Sequence, residues 1–177
     1  VLLNVGNIID MQWVMRYNPG AVAYIWQGGQ EGCRGVLDVL NGTVNPCGKL
    51  PDTIACTPAD YPAADHYGAD DRNIYAEDIY VGYRYFETFA PEKVLYPFGF
   101  GLSYTKFEVR LLSADETADG ITAFAAVQNT GSCPGKEVVQ LYCTAPQGRL
   151  GTPSKVLCAF AKRRPLAHGE SQTLTLT

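Results

Sequence analysis

The sequence predicts an α/β region followed by an all-β region, because its pattern changes along the 177 residues. Apolar runs alternate with helical segments over residues 1–42, which is typical of a parallel sheet in an α/β sandwich. A stretch rich in proline and aromatic residues follows. Beyond residue 105, short alternating segments are separated by Gly, Pro and Asp turns, which indicates an antiparallel β-sandwich.

Two apolar runs, Val1–Val5 and Ala21–Trp26, predict the strands of the first region. Both runs are short, as expected for parallel strands that are buried on both faces. Between them, Asp10 can cap a helix over Met11–Tyr17. The order strand, helix, strand therefore predicts a right-handed parallel βαβ unit.

A second helix is predicted over Gln30–Asn41, with Gly42 as the residue that ends it. Its valines and leucines lie on one side of the helix. The helix follows the glycine-rich loop W-Q-G-G-Q-E-G at Trp26–Gly32. This loop lies at the carboxyl end of a strand and the amino end of a helix, where open α/β sheets place ligands.

Residues 58–104 predict an extended connector that packs against another surface. Prolines and glycines recur there and exclude long helices. Large aromatic side chains are too dense for a disordered segment. Within this connector Glu77 and Asp78 are predicted on a strand, where adjacent side chains point to opposite faces, so that they cannot act together on one bond.

Five short segments predict the strands of the all-β region. They combine β-branched and aromatic residues with intervening turns, one of them at Asp119-Gly120. The segments are Phe107–Leu111, Ile121–Val127, Val138–Cys143, Val156–Phe160 and Thr173–Thr177.

Composition excludes several classes of protein. A formal net charge of −4 argues against nucleic acid and anionic lipid as partners, and no apolar run is long enough to span a membrane. The six cysteines form no C-x-x-C pair and there are two histidines, so a metal site is not expected. The cysteines are expected to be buried free thiols in a reducing cytoplasm. Because the chain begins inside an apolar run and ends inside an alternating one, we expect it to be a piece of a longer polypeptide.

Five phrases resemble the C-terminal part of glycoside hydrolase family 3, the β-glucosidase and β-xylosidase family. In chain order they are G-G-Q-E-G, N-P-C-G-K-L-P-D-T, E-D-I-Y-V-G-Y-R-Y-F, Y-P-F-G-F-G-L-S-Y-T-K-F and N-T-G-S-C-P-G-K-E-V-V-Q-L-Y. By this resemblance, residues 1–104 correspond to the last part of the family's α/β sandwich domain. Residues 105–177 correspond to an incomplete fibronectin type III-like domain. Cys33 and Cys47 stand where the family usually has Gly and Ser.

The resemblance implies a retaining, exo-acting β-glycosidase, most simply a β-glucosidase of the bacterial cytoplasm, without a cofactor. Retaining hydrolysis needs two carboxylates about 5–5.5 Å apart. In the family the nucleophile is an Asp of a (β/α)8 barrel domain, and the acid/base is a Glu in sequence before this region. Neither motif occurs here. We therefore expect no catalytic residue in this chain, which would act as scaffold beside the missing barrel domain and its β-glucoside or related oligosaccharide.

Two roles stay open for Gln27, Gln30 and Glu31, the candidate substrate-binding residues of the glycine-rich loop. They can order the loop and contact the barrel domain, or they can contact the substrate directly. The partial positive charge of the helix amino end favours an ionised Glu31, which suits a hydrogen-bond acceptor better than a general acid.

The alternative is a stand-alone carbohydrate-binding or structural β-sandwich module. Sugar binding by such a module needs an exposed planar aromatic patch. Phe124, Tyr142 and Phe160 are predicted to face inward, and this disfavours the carbohydrate-binding alternative.

Overall fold

The computed structural model describes residues 1–66, 68, 71–118, 120–162 and 164–177. Their contacts define two compact units. Unit 1 consists of Val1–Leu37, Leu50–Phe100 and Pro146–Ser154. Unit 2 consists of Asp38–Lys49, Gly101–Ala145 and Lys155–Thr177. Asp119, which we predicted in a turn, lies outside the described residues.

In unit 1, strand β1 (Leu2–Leu3) pairs in parallel with β2 (Ala23–Tyr24), as predicted. Helix α1 (Gln12–Tyr17) connects them, and Asp10 Oδ1 accepts the backbone N–H of Gln12 at 2.9 Å. The prediction that both strands are buried on both faces is wrong, since Leu2 is 46% exposed. The described residues place only two strands in this sheet, and burial of both faces requires covering layers.

Helix α2 (Gly32–Leu40) follows the glycine-rich loop, as predicted. It ends where the N–H of Gly42 donates to the carbonyl of Val39 at 3.1 Å, and Gly42 has a φ of 80°, which favours glycine. Leu37, on the apolar side of the helix, is 60% exposed. The apolar side therefore forms part of the surface of this chain.

The prediction of an extended connector over 58–104 is wrong in its central part, where Tyr83–Phe89 form helix α3. The run Y-R-Y-F-E-T-F contains neither proline nor glycine, so nothing in it interrupts helical hydrogen bonds. One turn of α3 places Phe86 in a fully buried position, and the ring of Tyr61 meets it edge-on with centroids 5.5 Å apart. Burial of this ring selects the helix over an extended chain.

Short elements surround α3 in unit 1. Strand β3 (Ile54–Ala55) pairs antiparallel with β4 (Val94–Tyr96). Single 3₁₀ turns occupy Pro58–Asp60, Ala64–His66 and Pro91–Lys93. The small core of this part contains Ala55, Phe86 and Ala90, with Tyr61, Tyr85 and Val94 packed against it.

Asp60 fastens the first of these turns. Its carboxylate accepts hydrogen bonds from the backbone N–H and the hydroxyl of Thr57, at 2.9 and 2.8 Å, and pairs with Lys93 Nζ at 3.2 Å. The hydrogen bond from the Thr57 side chain, followed by that from Lys93, lowers the pKa of Asp60 below its usual range. The ionised carboxylate therefore joins the turn at 58–60 to the turn before β4.

Unit 2 is an antiparallel β-sandwich in which all five predicted strands are present. One sheet has the order β5 (Phe107–Thr117), β6 (Gly120–Asn129) and β9 (Ser171–Leu176). The other pairs β7 (Val138–Cys143) with β8 (Val156–Lys162). Their core consists of Ala123, Ala125, Val127, Val139, Leu166, Leu174 and Leu176.

Asn129, at the end of β6, is fully buried and uses its whole side-chain amide. Its Oδ1 accepts the Thr105 hydroxyl at 2.7 Å and the N–H of Gly131 at 3.0 Å. Its Nδ2 donates to the carbonyls of Cys133 and Leu166, both at 2.8 Å. One side chain thereby bonds three backbone groups and the Thr105 hydroxyl at this end of the sandwich.

Asn45, like Asn129, uses both atoms of its side-chain amide to bond several segments of unit 2. Its Oδ1 accepts the Ser103 hydroxyl at 2.8 Å and the N–H of Tyr104 at 2.9 Å, while Nδ2 donates to the carbonyl of Pro134 at 3.0 Å. Nearby, Lys49 Nζ donates to the carbonyl of Gly101 at 2.9 Å and pairs with Glu137 at 2.8 Å. These contacts hold the motif N-P-C-G-K at 45–49 against the loops of unit 2.

The cysteines are only partly as predicted. All six are free thiols, but Cys33, Cys133 and Cys158 are exposed and the other three are half-buried, so the prediction of burial is wrong. Cys33 lies on α2, and Cys158 lies at an irregular point of β8. An exposed thiol differs from a core thiol because it can react with solutes.

We predict that Asn129→Asp strongly destabilises unit 2. Aspartate keeps the shape of asparagine but cannot donate when ionised, so the carbonyl of Cys133 loses its side-chain donor and that of Leu166 keeps only the N–H of Gly135. The substitution also places a buried negative charge against both carbonyl oxygens. The free energy of unfolding should fall by about 3 kcal/mol or more in urea titrations. Gln128→Glu, the same chemical change at the exposed neighbouring residue, should cost less than about 0.5 kcal/mol. Equal losses in the two variants would contradict the role given to Asn129.

We also predict an acid-sensitive contribution from Asp60. Because its pKa is lower in the folded chain than in the unfolded one, it stabilises the fold above the unfolded pKa, and this is lost as the pH falls through the folded pKa. Asp60→Asn should lower Tm at pH 7 and flatten the fall of Tm below about pH 4. Lys93→Met should shift this fall to higher pH. Parallel Tm curves for wild type and Asp60→Asn would refute the prediction.

Candidate functional site

The candidate loop Trp26–Gly32 begins with an unusual backbone turn. Trp26 has a φ of 53°, in the left-handed region that bulky residues rarely adopt. Its ring lies against that of Tyr24, with centroids 4.6 Å apart, and the Tyr24 hydroxyl donates to the carbonyl of Asn7. These contacts hold a strained residue where strand β2 ends, and strain of this kind clusters at functional sites.

Two close approaches fix the path of the loop. A Cβ on Gly28 would lie 2.7 Å from the Cα of Gly32, so only glycine fits there. A Cβ on Gly6 would lie 2.8 Å from Nε2 of Gln27, which shows that this amide lies over the Gly6 backbone. The segments that follow β1 and β2 therefore meet at the carboxyl edge of the parallel pair.

Gln27, Gln30 and Glu31 all lie on the exposed surface of this loop. Glu31 pairs with Arg34 at 3.6 Å, and their side chains are 77% and 81% exposed. Such an exposed pair contributes little to stability. The structure brings the three predicted residues together on one loop, and their polar groups stay accessible to a ligand or to another protein surface.

A cavity of about 660 Å³ lies within unit 1, and the sequence analysis did not predict it. It is lined by Asn7–Asp10, Ala55, Pro58, Ala59, Tyr61, Ala63–Asp65 and Glu77. Asn7–Asp10 follow β1 as the candidate loop follows β2. The same rule about the carboxyl ends of parallel strands could therefore have singled out N-I-I-D.

Glu77 lines this cavity, and its surroundings correct the sequence analysis. We predicted Glu77 and Asp78 on a strand, but they lie in a turn in which the N–H of Tyr80 donates to the Glu77 carbonyl at 2.8 Å. Asp78 has a φ of 48°, which a strand does not allow. The argument that strand geometry separates the two carboxylates therefore fails.

Three carboxylates line the cavity, those of Asp10, Asp65 and Glu77. Asp10 already accepts the N–H of Gln12 at the start of α1 and is also 3.3 Å from the Gln12 amide. Within the described part of the chain, no cluster of three or more His, Cys, Asp or Glu could hold a metal ion. The cavity is therefore lined mainly by apolar residues together with these three acids.

The aromatic residues of the sandwich do not all face inward, contrary to prediction. Phe160 pairs across strands with Gln140 and is 69% exposed, while its neighbours Ala159 and Ala161 pack against the core. Tyr142 lies beside Lys155, whose Nζ is 5.2 Å from the ring centroid. Alternation along β8 sends Phe160 outward because the small alanines occupy the core positions.

None of the described helices is both long and apolar enough to cross a bilayer.

Two family models match the chain. The glycosyl hydrolase family 3 C-terminal domain matches residues 1–104, and the fibronectin type III-like domain matches residues 137–177. The chain is 54% identical over 176 residues to a β-glucosidase of Ruminococcus albus, covering 99% of this chain and 18% of that protein. It is 48% identical to β-glucosidase A of Butyrivibrio fibrisolvens, covering 99% of this chain and 24% of that protein.

Solved structures agree with these matches. The chain superposes on a β-glucosidase from Paenibacillus barengoltzii with a TM-score of 0.94 at 51% identity, covering 99% of this chain and 20% of that one. β-Glucosidase 3B from Thermotoga neapolitana in complex with glucose gives a TM-score of 0.88 at 40% identity, covering 99% and 25%. The chain thus spans about a fifth to a quarter of the length of these relatives, and it belongs to glycoside hydrolase family 3.

Proposed function

We propose that this chain is the C-terminal part of a retaining, exo-acting β-glycosidase, most simply a β-glucosidase that hydrolyses terminal β-linked sugars. The observation that carries the proposal is the 54% identity to a β-glucosidase over 99% of the chain. Residues 1–104 would be part of the α/β sandwich domain, and residues 105–177 the fibronectin type III-like domain. The match of one family model to residues 1–104 supports this boundary.

Both reacting carboxylates would lie outside this chain. A retaining glycosidase needs two carboxyl groups about 5–5.5 Å apart on either side of the scissile bond. Glu31 is highly exposed and pairs with Arg34, Asp60 caps a turn, and Glu137 pairs with Lys49. These acids have structural partners, which favours a scaffolding role for this part of the enzyme.

Gln27, Gln30 and Glu31 would face the catalytic barrel domain and contribute to the substrate site or to its border. The strained Trp26 and the crowded Gly28 hold their loop in one path, which supports a preorganised surface. Amide and carboxylate groups are suitable partners for sugar hydroxyls. The partners would be a β-glucoside or a related oligosaccharide and the barrel domain itself.

We predict that the purified 177-residue chain does not cleave nitrophenyl β-glucoside. Release of nitrophenol, followed by absorbance, should equal that of a buffer blank, because neither the nucleophile nor the acid/base would be present. Glu31→Gln and Glu77→Gln serve as matched variants of the exposed loop and of the cavity. Turnover that either substitution abolishes would overturn the proposal and assign catalysis to that carboxylate.

A second candidate is a carbohydrate-binding module on the outer face of the sandwich, and the outward position of Phe160 favours it. We expect isothermal titration of the chain with glucose, cellobiose and xylose to give no heat of binding, because one exposed ring offers little stacking area. Millimolar or tighter binding would instead support the module if Phe160→Ala abolishes it. The control is Phe89→Ala, which changes an exposed ring of unit 1 and should leave that binding unchanged.

A cytoplasmic location in a bacterium is proposed with the activity. The free state of all six cysteines supports a reducing compartment.

A further inference from the structure

Cys143 and Cys158 lie on neighbouring strands of the two-stranded sheet in unit 2. Cys143 pairs across strands with Val156 at the end of β7. The register then shifts between Leu141 and Tyr142, whose partners are Ala159 and Leu157. Cys158 is therefore the extra residue of a β-bulge, two positions along β8 from the residue that faces Cys143.

The bulge places the two thiols on adjacent strands, close to the same residue of β8. Cys158 Sγ donates back to the carbonyl of Val156 at 3.4 Å, toward the residue that pairs with Cys143. The Cys143 thiol is also hydrogen-bonded to Cys158, and this bond, followed by burial, raises the pKa of Cys143. The two thiols are therefore neighbours across the strand pair.

We propose that Cys143 and Cys158 form a cross-strand disulfide by exchange with a small-molecule disulfide such as oxidised glutathione. This would be a modification site of the β-sandwich, independent of the activity proposed above. The remaining four cysteines do not lie on neighbouring strands. Cys33 lies on α2, and the others lie outside the strands, namely Cys47, Cys56 and Cys133.

The exchange has a defined order. Exposed Cys158, as the thiolate, attacks one sulfur of oxidised glutathione, so that a mixed disulfide forms and one glutathione thiolate leaves. The Cys143 thiolate then attacks Cys158 Sγ, and the second glutathione thiolate leaves. Two protein thiols are oxidised, one glutathione disulfide is reduced, and the two protons pass to the glutathione thiolates. Cys143 acts second because it is less exposed than Cys158.

The bond would close the loop between β7 and β8 at its base. This loop contains Pro146–Ser154, a segment whose contacts belong to unit 1. There Ser154 donates its hydroxyl to the carbonyl of Glu87 at 2.9 Å, and Thr88 Oγ1 accepts the Ser154 N–H at 2.9 Å. Closing a loop of this length restricts the unfolded chain, so the oxidised form should be the more stable one.

The test starts from the reduced 177-residue chain, which is incubated with oxidised glutathione, alkylated and mapped by mass spectrometry without reduction. We expect two thiols to be lost and the peptides that contain Cys143 and Cys158 to be linked. Cys158→Ser should leave Cys143 open to alkylation, whereas Cys33→Ser, at another exposed cysteine, should still form the bond. Tm should rise by about 5 °C on oxidation, and dithiothreitol should reverse the rise.

Three results would overturn the proposal. The first is a chain in which Cys143 and Cys158 both stay alkylatable. The second is one that carries glutathione on Cys158 without a bridge to Cys143. The third is a bridge between another pair that forms as readily. Repeating the reaction in urea provides a further control, because unfolding should abolish the preference for this pair. Mapping of the wild type decides the question even where a variant folds poorly.

Discussion

The buried amide of Asn129 is the interaction on which the β-sandwich depends. Strands β6 and β7 are joined by a turn in which the N–H of Gly131 also donates to the carbonyl of Lys106 and the N–H of Gly135 donates to that of Leu166. Asn129 satisfies Gly131, Cys133 and Leu166 with one side chain. Gly131 has no room for a side chain, because a Cβ would lie 2.3 Å from the Thr105 hydroxyl. Glycine at position 131 is therefore needed for Thr105 to reach the Asn129 side chain.

Side-chain hydrogen bonds to backbone groups also join residues 38–49, from the first sequence region, to the rest of unit 2. Asn45 and Lys49 bind loops of the sandwich, and a Cβ on Gly101 would lie 2.2 Å from the carbonyl of Gly48. Close to them, the Tyr104 hydroxyl donates to the carbonyl of Val39 at 2.9 Å, near the end of α2. This bond, like those of Asn45 and Lys49, lies within unit 2.

Several carboxylates of this chain make structural contacts, although the chain belongs to a family of glycosidases. Asp10 caps α1, Asp60 ties two turns together and Glu137 neutralises Lys49. Each acid has a hydrogen-bond donor or a cation beside it, as expected in a scaffold. Glu31 differs, because its polar groups remain exposed on a loop whose path is fixed by Trp26 and Gly28. That combination of an exposed carboxylate and a loop with a fixed path makes this loop the candidate site.

The sequence by itself determined the family, the parallel pair, α2 and the five strands of the sandwich. These features follow from local periodicity and from motifs in register. Tertiary structure decided the rest. Burial of Phe86 made α3 from a segment that composition predicted as extended, and the alanines of β8 turned Phe160 outward. The Asn129 hydrogen bonds, the acid-lined cavity and the Cys143–Cys158 pair join residues far apart in sequence, and short-range patterns carry no information about such pairs.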